Sequence, residues 1–330
     1  MSKIPTALFP SIRMRRTRRS AALRALVAET TLFPADLIYP VFVLDGERRS
    51  EAIELHPTLV NATLIYQEAG RNAMNRLYQG YIDIALDFNK PFLMCTPTWR
   101  ANQSRVVEAK INSSINIDAV NFLQELRASQ SRGRQTIKIG GMIGCKNDCY
   151  KPEEGISASE AEEFHSWQID QLAQGGVDFL IAETLPAVEE AIGIARAMEN
   201  SGLPYIISFV ISRDGRVLDG NGLHTAINLV DTNTHNKALG YMVNCAYPSF
   251  LCADKQPAKL FERLLGYLAN ASSMDQCDLD GAEELFVESV SDWGNAMLSL
   301  NRTHGVKVLG GCCGTDQRHL RYIVGEDCAG

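Results

Sequence analysis

Three cysteines carry the clearest chemical signal in this sequence of 330 residues. Cys312 and Cys313 are adjacent and stand inside a glycine frame, Gly-Gly-Cys-Cys-Gly-Thr, at 310–315. Neighbouring side chains of a regular strand point to opposite faces, so the glycines are needed to bend the backbone until both thiols converge. Cys245 follows another apolar run, 239–244. Three thiolates with a fourth position open are typical of a catalytic zinc site; three buried, unreactive cysteines are the alternative.

The other six cysteines have weaker context. The total of nine is odd, and the N-terminus lacks the apolar segment of a secretory signal. We therefore expect reduced thiols in a cytoplasmic protein and not a disulfide framework. Cys145 and Cys149 have a spacing found in some metal sites, but no second pair accompanies them. The remaining four are expected to be packing or surface thiols: Cys95, Cys252, Cys277 and Cys328.

The elements that must position these residues alternate between two patterns. Short apolar runs rich in β-forming residues predict strands at 38–44, 92–95, 137–143, 179–182, 205–211, 239–244 and 306–310, with a weaker one near 268–271. Apolar residues at helical spacing predict helices at 59–85, 117–128, 158–174, 187–200, 260–268 and 283–300. Eight strand–helix units predict an α/β fold of the (β/α)8 TIM barrel type. A doubly wound sheet is the alternative, but no glycine-rich phosphate loop follows the first predicted strand.

Functional residues of such a barrel lie at the C-terminal ends of its strands. Asp45, Thr96 and Glu183 each stand at the end of a predicted strand, as do the three cysteines of the candidate zinc site. The barrel topology therefore predicts that these side chains share one rim.

Charge is distributed unevenly along the chain. Residues 1–24 hold seven Lys and Arg residues and no acid, whereas the whole chain has a net charge of −7. We expect a basic N-terminal arm over 1–37 and a barrel over 38–330. Such an arm could contact phosphate, RNA or the acidic surface of a neighbouring subunit, or remain a solvated tail. The acidic total argues against a nucleic-acid partner, and no apolar run approaches the roughly 20 residues that span a membrane.

From about 45 to 321 the sequence resembles the zinc-dependent homocysteine S-methyltransferase family. The resemblance rests on Val-Asn-Cys at 243–245 followed by Pro248, and on the run 310–315. Weaker support comes from the runs 176–184 and 204–209. Two departures accompany it: the chain reads Asp-Gly-Glu at 45–47 where the family usually has Asp-Gly-Gly, and Cys145 stands where the family usually places proline.

The resemblance implies a barrel enzyme that transfers a methyl group to homocysteine and gives methionine. It implies Zn²⁺ as cofactor, with Cys245, Cys312 and Cys313 as ligands. The chemistry requires a methyl donor with a good leaving group: a sulfonium such as S-methylmethionine or S-adenosylmethionine fits, and a methylated corrinoid on a partner protein is the alternative. Asp45 and Glu183 would hold the homocysteine ammonium group, and Thr96 and Asn244 complete the expected substrate-binding set.

The first fifty residues resemble a different enzyme, 5-aminolevulinate dehydratase, through the runs 15–19, 26–29 and 36–46. That enzyme is also a barrel, and its arm embraces a neighbouring subunit, which implies a homo-oligomer here. The resemblance stops near 53, and the paired lysines of its Schiff-base chemistry have no recognisable counterpart downstream. A dehydratase and a non-catalytic zinc-binding barrel are the alternatives to the methyltransferase.

Overall fold

Seven consecutive parallel strands form one sheet in the computed structural model, which describes residues 56–275 and 287–327. The strands are β1 (Phe92–Cys95), β2 (Ile137–Ile143), β3 (Phe179–Leu185), β4 (Tyr205–Phe209), β5 (Gly240–Ala246), β6 (Leu264–Ala269) and β7 (Val308–Gly311). Each pairs in parallel with the next one along the chain. Sequential parallel order with intervening helices is the arrangement of a (β/α)8 TIM barrel, so the predicted fold is confirmed.

Helices cover the outside of this sheet. They are α1 (Glu68–Asp87), α2 (Gln103–Glu108), α3 (Ile115–Ser129), α4 (Ala158–Gly175), α5 (Val188–Ser201), α6 (Leu223–Thr232), α7 (Ala258–Phe261), α8 (Val290–His304) and α9 (Gln317–Asp327). Short 3-10 helices occupy Ala62–Tyr66, Arg134–Thr136, Pro152–Glu154, Pro248–Leu251 and Ala253–Lys255. Within the described ranges, no helix combines the length and the apolar character needed to cross a membrane.

The core has two layers because alternate strand residues face opposite sides of the sheet. On β4, Ile206 packs with Met242 and Val308 in a small cluster inside the barrel. Ile207 belongs instead to the large cluster that also contains residues of the surrounding helices. This alternation turns every second side chain of each strand toward the interior of the barrel.

The segment around 260–271 differs from its prediction. The expected helix at 260–268 and strand at 268–271 are both wrong, because Leu264–Ala269 forms β6 and only Ala258–Phe261 is helical. An apolar run of this length fits a buried strand as well as a helix. Pairing with β5 and β7 on both sides decides in favour of the strand.

Other element boundaries shift less. The helix expected at 59–85 divides into the 3-10 turn Ala62–Tyr66 and α1, and the helix expected from 283 begins at Val290, after the N-cap Ser289. The helices α2, α6 and α9 were not predicted. The arm, the strand expected at 38–44, Asp45, Cys277 and Cys328 lie outside the described residues.

Candidate metal centre

The turn after β7 brings the two adjacent cysteines together. A Cβ on Gly311 would lie 2.0 Å from Thr315 Oγ1, so only glycine allows this turn to fold so tightly. The Thr315 hydroxyl donates to the carbonyl oxygen of Cys312 at 2.8 Å, and the Cys313 amide donates to Asn270 Oδ1 at 3.2 Å. The turn therefore holds both cysteines by backbone hydrogen bonds and leaves their sulfurs 4.0 Å apart.

The third cysteine reaches the same place through an irregularity in β5. Cys245 has a φ of +54°, in the left-handed region that non-glycine residues rarely adopt, and the pairing of β5 with β6 shifts register between Asn244 and Ala246. The bulge turns the Cys245 side chain out of the regular alternation and toward the end of β7. Its sulfur accepts a hydrogen bond from Asn244 Nδ2 at 3.4 Å and lies 3.9 Å from Thr184 Oγ1.

The three sulfurs fit a metal ion. All lie within 4.8 Å of one another, and tetrahedral zinc with Zn–S bonds of about 2.3 Å separates its sulfur ligands by about 3.8 Å. Over the described ranges, this is the only group of three or more Cys, His, Asp or Glu side chains close enough to share an ion. Cys245 and Cys312 are buried and Cys313 is exposed, so a bound ion would be reached from the Cys313 side.

Hydrogen bonding among the three thiols gives them different pKa values. The thiols of Cys245 and Cys312 donate to the sulfur of Cys313 and hold its pKa well below the ordinary value. Burial and the two neighbouring sulfurs raise the pKa of Cys312. For Cys245, the hydrogen bond with Cys312 lowers the pKa, whereas the hydrogen bond with Cys313 and burial raise it. The raising effects are larger together, so the pKa of Cys245 is above its ordinary value. The group thus stabilises one thiolate by itself and needs a cation to hold three.

Glu183 is a buried carboxylate near the end of β3. Ile181, two residues earlier, packs inside the barrel, so alternation turns Glu183 to the same interior face. Neither carboxylate oxygen has a hydrogen-bond partner among the described residues, and burial raises the pKa of the carboxyl to about 8. Such a group is matched to a cationic ligand, because a positive charge would restore the ionised form.

The other expected substrate residues have different surroundings. The Thr96 hydroxyl accepts from the Met142 amide at 2.9 Å and lies 2.7 Å from Thr98 Oγ1. Because Thr98 donates to the Met142 carbonyl oxygen, Thr96 must donate to Thr98. Asn244 is fully buried beside Cys245. Asp45 lies outside the described residues.

The loop after β2 adds residues that the sequence interpretation did not assign to the site. Electrostatic interaction with Cys245, together with burial and weaker interactions with Cys313 and Cys312, raises the pKa of the Tyr150 hydroxyl. Cys149 interacts electrostatically with Cys313 but does not belong to the group of converging sulfurs. The position of this loop just beyond a strand end was the signal that could have found these residues.

Hydrogen bonds from Arg100 and to Glu190 hold this loop in place. The Arg100 guanidinium donates to the carbonyl oxygens of Cys145 and Asn147 at 3.0 and 2.6 Å. Glu190, 1% exposed on α5, accepts from the Lys146 amide at 2.7 Å and contacts His165 Nε2 at 3.0 Å. His165 is fully buried and therefore supports this loop indirectly, through Glu190.

Comparison with known proteins gives matches of two kinds: long matches to homocysteine S-methyltransferases and a short match to a dehydratase. A family model described as homocysteine S-methyltransferase matches residues 43–326. Homocysteine S-methyltransferase YbgG from Bacillus subtilis is 22% identical over 310 residues, covering 87% of this chain and 94% of that protein. S-methylmethionine–homocysteine S-methyltransferase BHMT2 from Mus musculus is 24% identical over 306 residues, covering 86% of this chain and 74% of the relative.

The fold comparison agrees. The metallated form of the homocysteine methyltransferase MmuM from Escherichia coli matches with a TM-score of 0.67 at 16% identity, covering 92% of this chain and 99% of that one. The short match is to delta-aminolevulinic acid dehydratase from Methanothermus sociabilis, 53% identical over 49 residues, which is 15% of this chain and 15% of that protein. This short match confirms the predicted resemblance to 5-aminolevulinate dehydratase.

Proposed function

Because the chain belongs to the homocysteine S-methyltransferase family, we propose that it transfers a methyl group from a small activated donor to the thiol of homocysteine and gives methionine. The observation that carries the proposal is the convergence of three thiols at one end of the barrel, all within 4.8 Å of one another. We assign them to Zn²⁺, which thiolate ligands favour.

A bound zinc ion would lower the pKa of the homocysteine thiol and so supply a thiolate near neutral pH. The chain's own residues prepare for this. Cys245 and Cys312 are buried and Cys313 is exposed, so a substrate would approach a bound ion from the Cys313 side. The hydrogen bonds of the turn after β7 fix two ligands before any metal is present, which reduces the ordering needed on binding.

Glu183 supplies the charge that the substrate's amino group requires. Its buried carboxylate has no hydrogen-bond partner in the described part of the chain, so an incoming ammonium group would meet an unsatisfied acceptor. We propose that Glu183 and Asp45 together hold this ammonium group. Thr96 and Asn244, whose polar atoms already bind protein groups, would shape the pocket wall.

The donor we propose is a sulfonium such as S-methylmethionine. In the transfer, the homocysteine thiolate attacks the methyl carbon, one S–CH₃ bond forms as the donor's S–CH₃ bond breaks, and the donor leaves as a neutral thioether. The thiol proton passes to solvent. The printed name of the mouse relative contains the same donor. Tyr150 interacts electrostatically with the three cysteines, and its aromatic ring could pack against a methyl-bearing cation.

The test is methionine formation from homocysteine and S-methylmethionine by zinc-loaded protein. Cys312→Ser should lose bound zinc and turnover together. Cys252 is the matched control: it is not one of the three converging cysteines, and its thiol donates to the carbonyl oxygen of Arg213 at 3.3 Å. Cys252→Ser should keep both zinc and turnover. Zinc binding without methyl transfer from any sulfonium, betaine or methylcorrinoid donor would leave the non-catalytic zinc-binding barrel as the function. Activity that survives loss of the metal would contradict the assigned site.

We further propose a cytoplasmic enzyme of methionine biosynthesis that forms a homo-oligomer through the arm at 1–37. The support for the oligomer is the short match to the dehydratase. A chain lacking 1–35 should elute as a smaller species in size-exclusion chromatography, and an unchanged elution volume would remove the arm from assembly.

A further inference from the structure

The Asn244 side chain uses its whole hydrogen-bonding capacity inside the protein. Its Nδ2 donates to Thr184 Oγ1 at 2.6 Å and to Cys245 Sγ at 3.4 Å. Its Oδ1 accepts from the Thr184 amide at 2.8 Å and from Ser208 Oγ at 2.7 Å. A side-chain amide has two donors and two acceptor positions, so none is left for a substrate. We call these four residues the Asn244 network.

The Asn244 network joins three neighbouring strands. Asn244 and Cys245 lie on β5, Ser208 on β4 and Thr184 on β3, and both Asn244 and Ser208 are fully buried. One amide therefore connects the strand that carries the buried carboxylate Glu183 with the strand that carries a proposed metal ligand.

Both ends of the network lie at irregular points of these strands. Thr184 has a φ of +62° and Cys245 a φ of +54°, and the register of β3 shifts between Ala182 and Leu185. Left-handed conformations at residues other than glycine persist only where surrounding contacts hold them. At Thr184 the amide of Asn244 supplies such contacts twice, to the backbone N–H and to the hydroxyl.

We propose that Asn244 is a positioning residue that sets both the direction and the electron density of the Cys245 sulfur and couples it to the Glu183–Thr184 bulge. The expected effect on catalysis rests on the proposed function, whereas the expected effect on a bound metal does not. A hydrogen bond to a ligating thiolate withdraws charge from the sulfur and leaves the metal more electron-poor. Homocysteine bound there would then be more acidic.

Removing the network should therefore alter the metal site and the substrate site together. Changes to groups that orient metal ligands typically lower metal affinity or activity by about 10- to 100-fold. For Asn244→Ala we expect weaker zinc binding within that range, a higher KM for homocysteine because Thr184 is released, and a lower kcat because the Cys245 sulfur is misplaced.

Cobalt provides a readout that does not depend on turnover. Co²⁺ bound to the full chain gives sulfur-to-metal charge-transfer absorption, and a more electron-rich thiolate moves this band to longer wavelength. We expect the shift in Asn244→Ala. The isosteric Asn244→Asp keeps acceptor oxygens for Thr184 and Ser208 but replaces the donor at the sulfur by an oxygen, so it should shift the band at least as far. The new carboxylate of Asn244→Asp would attract a metal ion by its charge alone. For this variant, the position of the cobalt band is therefore the test, and the metal affinity is not.

Two further variants separate the network from a general loss of packing. Ser208→Ala removes one bond to Oδ1 and keeps both Nδ2 bonds, so its band should move less than that of Asn244→Ala. Asn228→Ala removes an exposed asparagine on α6 that contacts His224, and every measured quantity should stay at its original value. A purely structural role would reduce the folded fraction without moving the band or the KM of the folded protein.

An unshifted cobalt band in Asn244→Asp, with zinc affinity and homocysteine KM of Asn244→Ala also unchanged, would overturn the inference. If Asn244→Ala does not fold, the Asn244→Asp and Ser208→Ala bands still decide it. Failure of the proposed function looks different: no donor yields methionine with the unaltered chain, while the cobalt bands of the variants still differ.

Discussion

Replacing Glu183 by glutamine should stabilise the metal-free protein by an amount that increases with pH. Burial raises the pKa of the Glu183 carboxyl to about 8, from an ordinary value of 4.5. Between these two values the folded state holds a proton that the unfolded state has lost, so folding stability decreases as pH rises through this window. Each pH unit corresponds to about 1.36 kcal/mol. The isosteric amide does not titrate and is free of this loss.

The size of the effect follows from the two pKa values. Near pH 4 the variant and the original chain should differ by little, at pH 7 by about 3 kcal/mol, and above pH 8 by a limit of about 5 kcal/mol. The assay is urea unfolding of metal-free, reduced protein at half-unit steps from pH 5 to pH 8.5. Glu262→Gln, which alters an exposed glutamate, is the matched control and should show no pH-dependent gain.

The same variant should bind homocysteine poorly, because it lacks the charge that pairs with an ammonium group. In the original chain, binding near pH 7 should release nearly one proton from Glu183, which calorimetry in buffers of different ionisation enthalpy measures. A stability difference that stays constant from pH 5 to pH 8.5 would refute the reasoning, since it would mean that Glu183 is ionised in the folded state by a partner of opposite charge.

Three other outcomes are expected. In metal-free protein at pH 7, iodoacetamide should label Cys313 before the buried thiols, because hydrogen bonds from them lower its pKa; equal labelling by mass spectrometry would contradict this. Glu190→Ala leaves the Lys146 amide and His165 without their acceptor and should lower the unfolding free energy by about 3 kcal/mol; a change under about 1 kcal/mol would show that water replaces the carboxylate. Ser157→Ala removes the capping box of α4 and should lower the unfolding free energy measured in urea by about 1 kcal/mol, without changing the zinc content.

Much of the fold could be predicted because its signals are local. The strands at 92–95 and 137–143 were predicted with the boundaries they have, since each is a compact apolar run bounded by turn residues. The helix α4 is likewise predicted to within a residue, and in the structure Ser157 caps its N-terminus. At β6 the same reasoning fails, because the spacing of the leucines fits a helix and only pairing with two neighbours makes a strand.

Local sequence patterns are enough to place Cys245, Cys312 and Cys313 at strand ends and to show that glycines frame two of them. They also place Glu183 at the end of a predicted strand, with no indication that its carboxylate is enclosed. The convergence of the sulfurs and the connection of three strands by Asn244 become visible in the folded chain alone. Periodicity reports the alternation of side chains along one strand, whereas bulges at Thr184 and Cys245 break that alternation, and their hydrogen-bond partners come from strands distant in sequence.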